Sequence, residues 1–202
     1  MRVAVLGASG RAGSEIAKEL AARGHEVLAI ARKPEAIPQA PGVTAKAGDA
    51  ADPAALAALI GGMDAVISAL HFDVTAETLL TALRHAAVPR LLVTGGAASL
   101  ETAPGTRVID SPDFPAEWKG PAMGGIRFLE DLRQEKAIDW TFFSTAALLF
   151  EGPRTGKFRL GQDRLVTDSQ GESRISFADY AIAMVDELEQ HRYPRARFTA
   201  AY

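Results

Sequence analysis

Short apolar runs alternate with amphipathic stretches along most of this chain, and the alternation predicts its secondary structure. The first run, Arg2–Leu6, is rich in β-branched residues and stops at Gly7, which indicates a buried parallel strand. From Ala12 onward, apolar residues recur at helical spacing until Gly24, a residue type that often ends helices. The chain therefore opens with a strand, a glycine-containing turn and a helix.

The same pattern predicts further units of this kind. Strands are predicted at residues 26–31, 43–47, 64–70, 90–94 and 140–144, with helices at 53–61, 75–87 and 121–136. Alternating strands and helices favour a parallel sheet with right-handed crossovers, so the expected fold class is α/β, a Rossmann-type doubly wound parallel sheet.

The C-terminal quarter has a different pattern. Short strands are predicted near 157–160, 164–167 and 174–177, followed by a helix over 178–190 and a strand over 197–200. With 202 residues, the chain is expected to form one domain, residues 1–202, carrying a small C-terminal substrate lobe.

The glycines of the first turn indicate a pyrophosphate-binding site. Gly7 would permit the tight turn, Gly10 a close approach of the ligand, and Gly13 the packing of the helix against its strand. Ser9 could bind a phosphate or cap the helix. Exposed amides at a helix N-terminus favour an anion, so the turn from Gly7 through Ala12 to Gly13 predicts a dinucleotide cofactor.

The second predicted strand ends at Arg32, where a carboxylate would bind the adenosine 2′-hydroxyl and a cation would bind a 2′-phosphate. Arg32 therefore predicts NADP, with NADPH preferred over NADH, and Arg11 is expected to point toward the same phosphate. The alternative is that Arg32 is an ordinary solvated charge.

Other predicted cofactor neighbours lie at the carboxyl ends of parallel strands, where cofactors pass in this fold. Asp49 has an alternative role, since it could simply organise the turn before Pro53. The residues predicted on this ground are Gly48, Asp49, Ala50, Ser68, Ala69, Leu70, Thr94, Gly95, Gly96 and Thr145.

Two side chains are candidate catalytic residues. Ser99 could place a hydroxyl near the nicotinamide, and His71 could donate a proton, although a single histidine at a strand end is more often structural. The proline-containing stretch 97–118 lacks periodicity and predicts a lid loop. Its Phe114 and Trp118 would contact the substrate, or else pin the loop to the core.

Composition excludes several other functions. Lys and Arg total 22 against 25 Asp and Glu, for a formal charge of −3, and the cations are scattered. Nucleic acid is thus not an expected partner. The chain has no cysteine, no cluster suggesting a metal site, no apolar run near membrane-spanning length and no room for a signal peptide, so a cytoplasmic location is expected.

Four motifs together resemble the atypical short-chain dehydrogenase/reductases. They are GASGRAG at the start, LLVTGGAASL, DWTFFSTAALLF and RISFADYAIAMVDELE. More narrowly, the chain is similar to the NAD(P)H-binding family labelled NADH-flavin reductases, which is related to biliverdin reductase B and flavin reductase. The resemblance implies strand order 3-2-1-4-5-6, allows a seventh strand, and implies a nicotinamide cofactor.

One departure from the wider superfamily bears on the reaction. Alcohol dehydrogenases of this type use a Tyr-x-x-x-Lys pair, but none of Tyr180, Tyr193 and Tyr202 has a lysine four residues later. Hydride transfer to a conjugated ring system needs less proton transfer than alcohol chemistry does. The expected function is an NADPH-dependent reductase of a flavin, quinone or similar planar acceptor, acting as a monomer or homodimer; the alternative is a non-catalytic NADP(H)-binding redox sensor.

Overall fold

The computed structural model describes residues 1–202 and contains the predicted opening unit. Twelve strands and five α-helices are present, together with two short 3-10 turns. The strands are β1 (Arg2–Leu6), β2 (Glu26–Ala31), β3 (Val43–Ala47), β4 (Ala65–Ser68), β5 (Arg90–Gly95), β6 (Glu101–Ala103), β7 (Thr106–Arg107), β8 (Asp139–Ser144), β9 (Leu148–Phe150), β10 (Arg159–Gly161), β11 (Arg174–Ser176) and β12 (Ala196–Ala201). The helices are α1 (Arg11–Ala22), α2 (Pro53–Ile60), α3 (Ala76–His85), α4 (Ala116–Gln134) and α5 (Phe177–Gln190).

Eight strands form the central sheet in the order β3-β2-β1-β4-β5-β8-β12-β10. The first seven are parallel, and β10 pairs with β12 in the antiparallel direction. The predicted order 3-2-1-4-5-6 is confirmed, because the sixth predicted strand is β8. The allowed seventh strand is β12, and β10 adds an eighth at the edge.

The sheet is covered on both faces, as its uninterrupted apolar strands predict. In β1, Val3 and Val5 pack with α1 and α5, whereas Ala4 and Leu6 pack with α2, α3 and α4. Phe143 of β8 stacks on the ring of Tyr180, with ring centroids 4.0 Å apart. The parallel pairing of the strands brings the carboxyl ends of β1, β4 and β5 to one edge of the sheet.

Residues 97–118 do not form the predicted continuous loop. They contain the hairpin of β6 and β7, turned at Gly105 with φ +76°, and α4 begins at Ala116 rather than at Pro121. A hairpin this short carries too few residues to show an alternating pattern. Pro121 lies inside α4, although proline is more typical of a helix start.

One predicted strand is absent, and one observed strand was not predicted. Residues 164–167 form no strand and contribute only an isolated bridge between Glu101 and Arg164. The unpredicted β9 pairs with β11 in a separate two-stranded parallel sheet. None of the helices combines the length and hydropathy required to cross a bilayer.

Candidate functional site

The glycine turn has the geometry that its spacing predicts. Gly7 has φ +75°, and a Cβ there would lie 2.6 Å from the Ala69 carbonyl oxygen. A Cβ at Gly13 would lie 2.3 Å from the Gly7 carbonyl oxygen, so only glycine lets α1 pack this closely against the turn. Gly10 has an ordinary φ of −81°, which any residue can adopt. Glycine therefore matters at this position for the space that it leaves and not for its backbone conformation.

The N-terminus of α1 is the feature that best fits an anionic ligand. No side chain caps this end of α1, and its first turn contains no acidic residue. By contrast, α2, α3 and α5 are capped by the side chains of Asp52, Thr75 and Ser176. The first amides of α1 therefore remain available to a phosphate, with the helix dipole adding to their attraction.

Three adjoining cavities form one cleft along the carboxyl edge of the sheet. The outer cavity, about 330 Å³, lies between Gly7, Arg32 and Ala50, and the middle cavity, about 610 Å³, lies between Ala12 and Gly95. The aromatic cavity, about 490 Å³, lies between Phe72 and α4. His71 lines all three, and Gly96 and Thr145 line both the middle and the aromatic cavity.

The structure brings nearly all predicted cofactor residues to the first two cavities. The outer cavity is lined by Gly7, Ser9, Gly10, Arg32, Gly48, Asp49, Ala50, Ala69 and Leu70. The middle cavity is lined by Ser9, Gly10, Arg11, Ala12, Gly13, Ala69, Leu70, Thr94, Gly95, Gly96 and Thr145.

Ser68 and Arg11 do not have the placement expected for them. The Ser68 side chain is buried in β4 and lines none of these cavities, while its carbonyl accepts a hydrogen bond from Thr94 Oγ1 at 3.0 Å. The Arg11 guanidinium lies 5.0 Å from the ring centroid of Phe177 in the middle cavity. Arg11 thus makes a cation–π contact and lines the middle cavity, whereas Arg32 lines the outer one.

The side chain of Asp49 serves the turn that precedes α2. Its carboxylate accepts a hydrogen bond from the Ala51 amide at 3.0 Å. Asp49 therefore organises the turn before Pro53, the alternative role predicted for it. Asp49 and Asp73 also line the outer cavity, together with Arg32. Arg32 itself is exposed and forms no hydrogen bond or ion pair.

Phe72 forms a wall of the aromatic cavity that sequence reasoning missed. Its ring lies 5.4 Å from that of Phe128 and 6.2 Å from that of Phe142. A Cβ on Gly125 would lie 2.8 Å from the Phe72 ring, so the glycines of α4 make room for it. Two adjacent glycines inside a helix were the available signal, since each weakens the helix and implies a close contact.

Phe114 and Trp118 both line the aromatic cavity but differ in burial. Phe114 is half-buried and packs against the small cluster of Ala98, Ile109 and Ile126, so it also pins its segment to the core. Trp118 is 61% exposed and is not a core residue. Trp118 is therefore the side chain that is free to contact a ligand.

Ser99 lies on the wall of the aromatic cavity and is tied to residues far away in the chain. Its Oγ accepts a hydrogen bond from Arg197 Nη1 at 2.9 Å, and Arg197 Nε donates to Asp163 at 3.0 Å. Sequence reasoning missed both partners, because they lie 64 and 98 residues further along the chain than Ser99 and have no motif of their own.

The tyrosine that borders the middle cavity cannot readily donate a proton. Tyr180 is fully buried, and its hydroxyl donates to the Phe143 carbonyl at 2.9 Å. Burial raises the pKa of Tyr180 well above its usual value, which disfavours the phenolate that an acid–base tyrosine must form.

The chain belongs to the NAD(P)H-binding family, whose model matches residues 7–188. It is 41% identical over 210 residues to the Bacillus subtilis protein YwnB, covering 98% of this chain and 97% of YwnB. A solved structure of a putative epimerase from Bacteroides thetaiotaomicron is 40% identical with a TM-score of 0.92, covering 100% of this chain and 96% of that one. The solved structure of a putative NADH-flavin reductase from Streptococcus pneumoniae is 35% identical with a TM-score of 0.87, and the match covers 100% of this chain and 99% of that one.

These matches and the fold make the protein a member of the atypical short-chain dehydrogenase/reductase group, as the four motifs imply. The names of the two bacterial structures give different activities, an epimerase and a flavin reductase. Membership of the family therefore identifies an NAD(P)H-binding, oxidoreductase-like protein and no particular reaction.

Proposed function

We propose that this protein is an NADPH-dependent reductase whose acceptor is a flavin or a similar planar, conjugated molecule. The single observation that carries the proposal is the adjacency of two unlike sites. A cavity bordered by uncapped helix amides meets a cavity walled by aromatic side chains at His71, Gly96 and Thr145. A hydride donor and a flat acceptor bound there would lie side by side.

The chain's own residues would hold the cofactor by its phosphates and leave its reactive end at the shared wall. The amides of α1 would bind the pyrophosphate, and Arg32 would bind a 2′-phosphate. When bound, the reduced nicotinamide supplies a hydride to the acceptor and is left oxidised, and a proton from water completes the reduction.

The aromatic cavity suits a flat acceptor better than a sugar or an alcohol. Phe72, Phe114, Trp118 and the prolines at 115 and 121 supply apolar surface, on which conjugated rings stack favourably. The cleft offers no tyrosine–lysine pair, and Tyr180 is committed to a backbone carbonyl. Orientation would then contribute most of the rate, as it can for acceptors that delocalise charge.

The proposal is tested by following NADPH oxidation with FMN, FAD or a quinone, against a control without acceptor. We expect turnover with at least one of these acceptors and tight NADPH binding without them. Binding of NADPH with no oxidation in the presence of any acceptor would instead support the non-catalytic sensor.

A further inference from the structure

Arg197 is a buried cation that lines a polar cavity of about 400 Å³, which adjoins the aromatic cavity at Ser99 and Ile126. Its side chain is only 5% exposed. The guanidinium donates to the Ser99 hydroxyl at 2.9 Å and to the Ser99 carbonyl at 3.1 Å. On its other side it donates to Asp163 through both Nε and Nη2. Four hydrogen bonds therefore fix its orientation.

This arrangement decides which way the Ser99 proton can point. Arginine has donors and no acceptor, so the Ser99 oxygen must accept and its own hydrogen must lie elsewhere. No other protein group accepts that hydrogen. Ser99 lines both the aromatic and the polar cavity, so the hydroxyl is available to donate to a molecule that is bound in the aromatic cavity.

The other hydroxyls of the aromatic cavity lack this support. Ser111 Oγ accepts only from the amide of Asp113 at 3.3 Å, and the Thr145 hydroxyl, also on the cavity wall, forms no hydrogen bond with an arginine or lysine. A hydroxyl that accepts from a cation becomes a stronger donor, because hydrogen bonds in a chain polarise one another.

We infer that Arg197 is a positioning residue that holds the Ser99 hydroxyl as a hydrogen-bond donor to a carbonyl oxygen or ring nitrogen of the acceptor. The inference rests on the proposed function and assigns it a recognition element, so the acceptor carries such an atom at one edge of its ring system. Asp163 keeps the guanidinium in register with Ser99 and takes no part in contacting the acceptor.

The inference predicts that Ser99 and Arg197 act as one unit in binding FMN. The variants are Ser99→Ala, Arg197→Met and the double variant, with Arg197→Lys as the conservative change. Binding is followed by the quenching of FMN fluorescence in the presence of NADP⁺. Each single variant should weaken binding roughly two- to tenfold, the range for one lost hydrogen bond. The double variant should lose no more than either, and Arg197→Lys should retain part of the affinity.

Arg133→Met is the matched control, because Arg133 lines the same polar cavity but is 51% exposed and only approaches Asp163 at 4.0 Å. It should bind FMN like the parent protein. Melting temperatures show whether each variant is folded. Arg197→Met should fold, since Asp163, the carboxylate it leaves unpaired, is 61% exposed.

The failures of the two proposals are distinguishable. Additive losses in the double variant, or unchanged binding in folded Arg197→Met, would overturn the role of Arg197 even if FMN is reduced. Coupled losses without any NADPH oxidation would support that role and reject the reductase. A parent protein that fails to bind FMN would overturn the inference for this acceptor class.

Discussion

At the residue scale, Arg32 has the clearest assignment to a ligand. It is exposed at the end of β2, lines the outer cavity and has no protein partner. Arg11 lines the middle cavity instead, with its guanidinium over Phe177. Of the two arginines that the sequence suggested, Arg32 is therefore the one that we expect to bind a 2′-phosphate.

Arg32→Ala should weaken NADPH binding roughly ten- to a hundredfold and leave NADH binding nearly unchanged, since a charge-assisted contact to phosphate contributes ~1.5–3 kcal/mol. Calorimetry with both cofactors measures this, and Lys33→Ala is the control because the exposed Lys33 lines neither cofactor cavity. Equal affinity of the parent protein for NADPH and NADH would contradict the assignment.

Trp118 is exposed and lines the aromatic cavity, so its replacement should affect the acceptor and not the fold. Trp118→Ala should raise the KM for FMN several-fold, because stacking contributes ~0.5–1.5 kcal/mol beyond burial, with NADPH affinity unchanged. Steady-state kinetics and a thermal melt provide the test. Met123→Ala, also exposed on α4 but outside the cavity, is the control, and an unchanged KM for Trp118→Ala would place the acceptor elsewhere.

At the element scale, glycines at the N-terminus of α1 are needed for two different reasons, close packing of the helix and open backbone amides. Gly13 is required by packing, because its missing Cβ would meet the Gly7 carbonyl at 2.3 Å. Gly10 is less constrained, since a Cβ there would lie 3.3 Å from the Gly7 carbonyl oxygen, a close contact that a shift of a few tenths of an ångström relieves, and its lack of a side chain leaves the amides of α1 open. Gly7 and Gly13 are therefore required by the fold, and Gly10 is the glycine of this turn that we expect to serve the ligand.

Alanine substitutions should separate these roles. Gly13→Ala should force α1 away from the turn and lower the free energy of unfolding by ~1–3 kcal/mol, as overpacking does. Gly10→Ala should keep near-parent stability but bind NADPH at least roughly tenfold more weakly, because its methyl group obstructs the phosphate contact. Urea denaturation and calorimetry on both variants are decisive, and a stable Gly13→Ala with intact binding would refute the packing argument.

At the scale of the whole molecule, Asp179 joins three distant parts of the chain. Its buried carboxylate accepts from the amides of Thr155 and Gly156, both at 2.8 Å, and from the Tyr202 hydroxyl at 2.8 Å. Burial alone would raise the pKa of Asp179, but these hydrogen bonds and that of the Thr155 hydroxyl outweigh it and hold the pKa below its usual value.

A lowered pKa makes the contribution of Asp179 depend on pH in a defined direction. The stabilisation is fully present when the pH is above the pKa of the unfolded state, about 3.9. It is lost as the pH falls through the lower pKa of the folded state. Asp179→Asn should cost about 1–3 kcal/mol at pH 7 and progressively less below about pH 4. Urea denaturation at pH 7 and pH 3 tests this, with the exposed Asp131→Asn as control; a cost independent of pH would exclude the ionised carboxylate as its source.

How far the site was predictable depends on whether its residues follow a strand end directly. Gly7, Arg32, Gly96 and Thr145 do, and all line the cleft. The aromatic cavity also takes residues from α4 and from the loop after β4, and Phe72 was missed. The cofactor contacts themselves stay predictions, since the cavities establish proximity and not binding.

The sequence by itself determined the parallel sheet and the glycine turn, because alternating apolar runs and a three-residue glycine spacing are local patterns, whereas the strand order was implied by the family resemblance of the four motifs. Only the tertiary structure decided that Arg11 lies on Phe177, that Phe72 lies against Gly125, and that Arg197 holds Ser99 from 98 residues away. Such contacts depend on how packed elements bring distant side chains together, and no local period encodes which polar groups will meet.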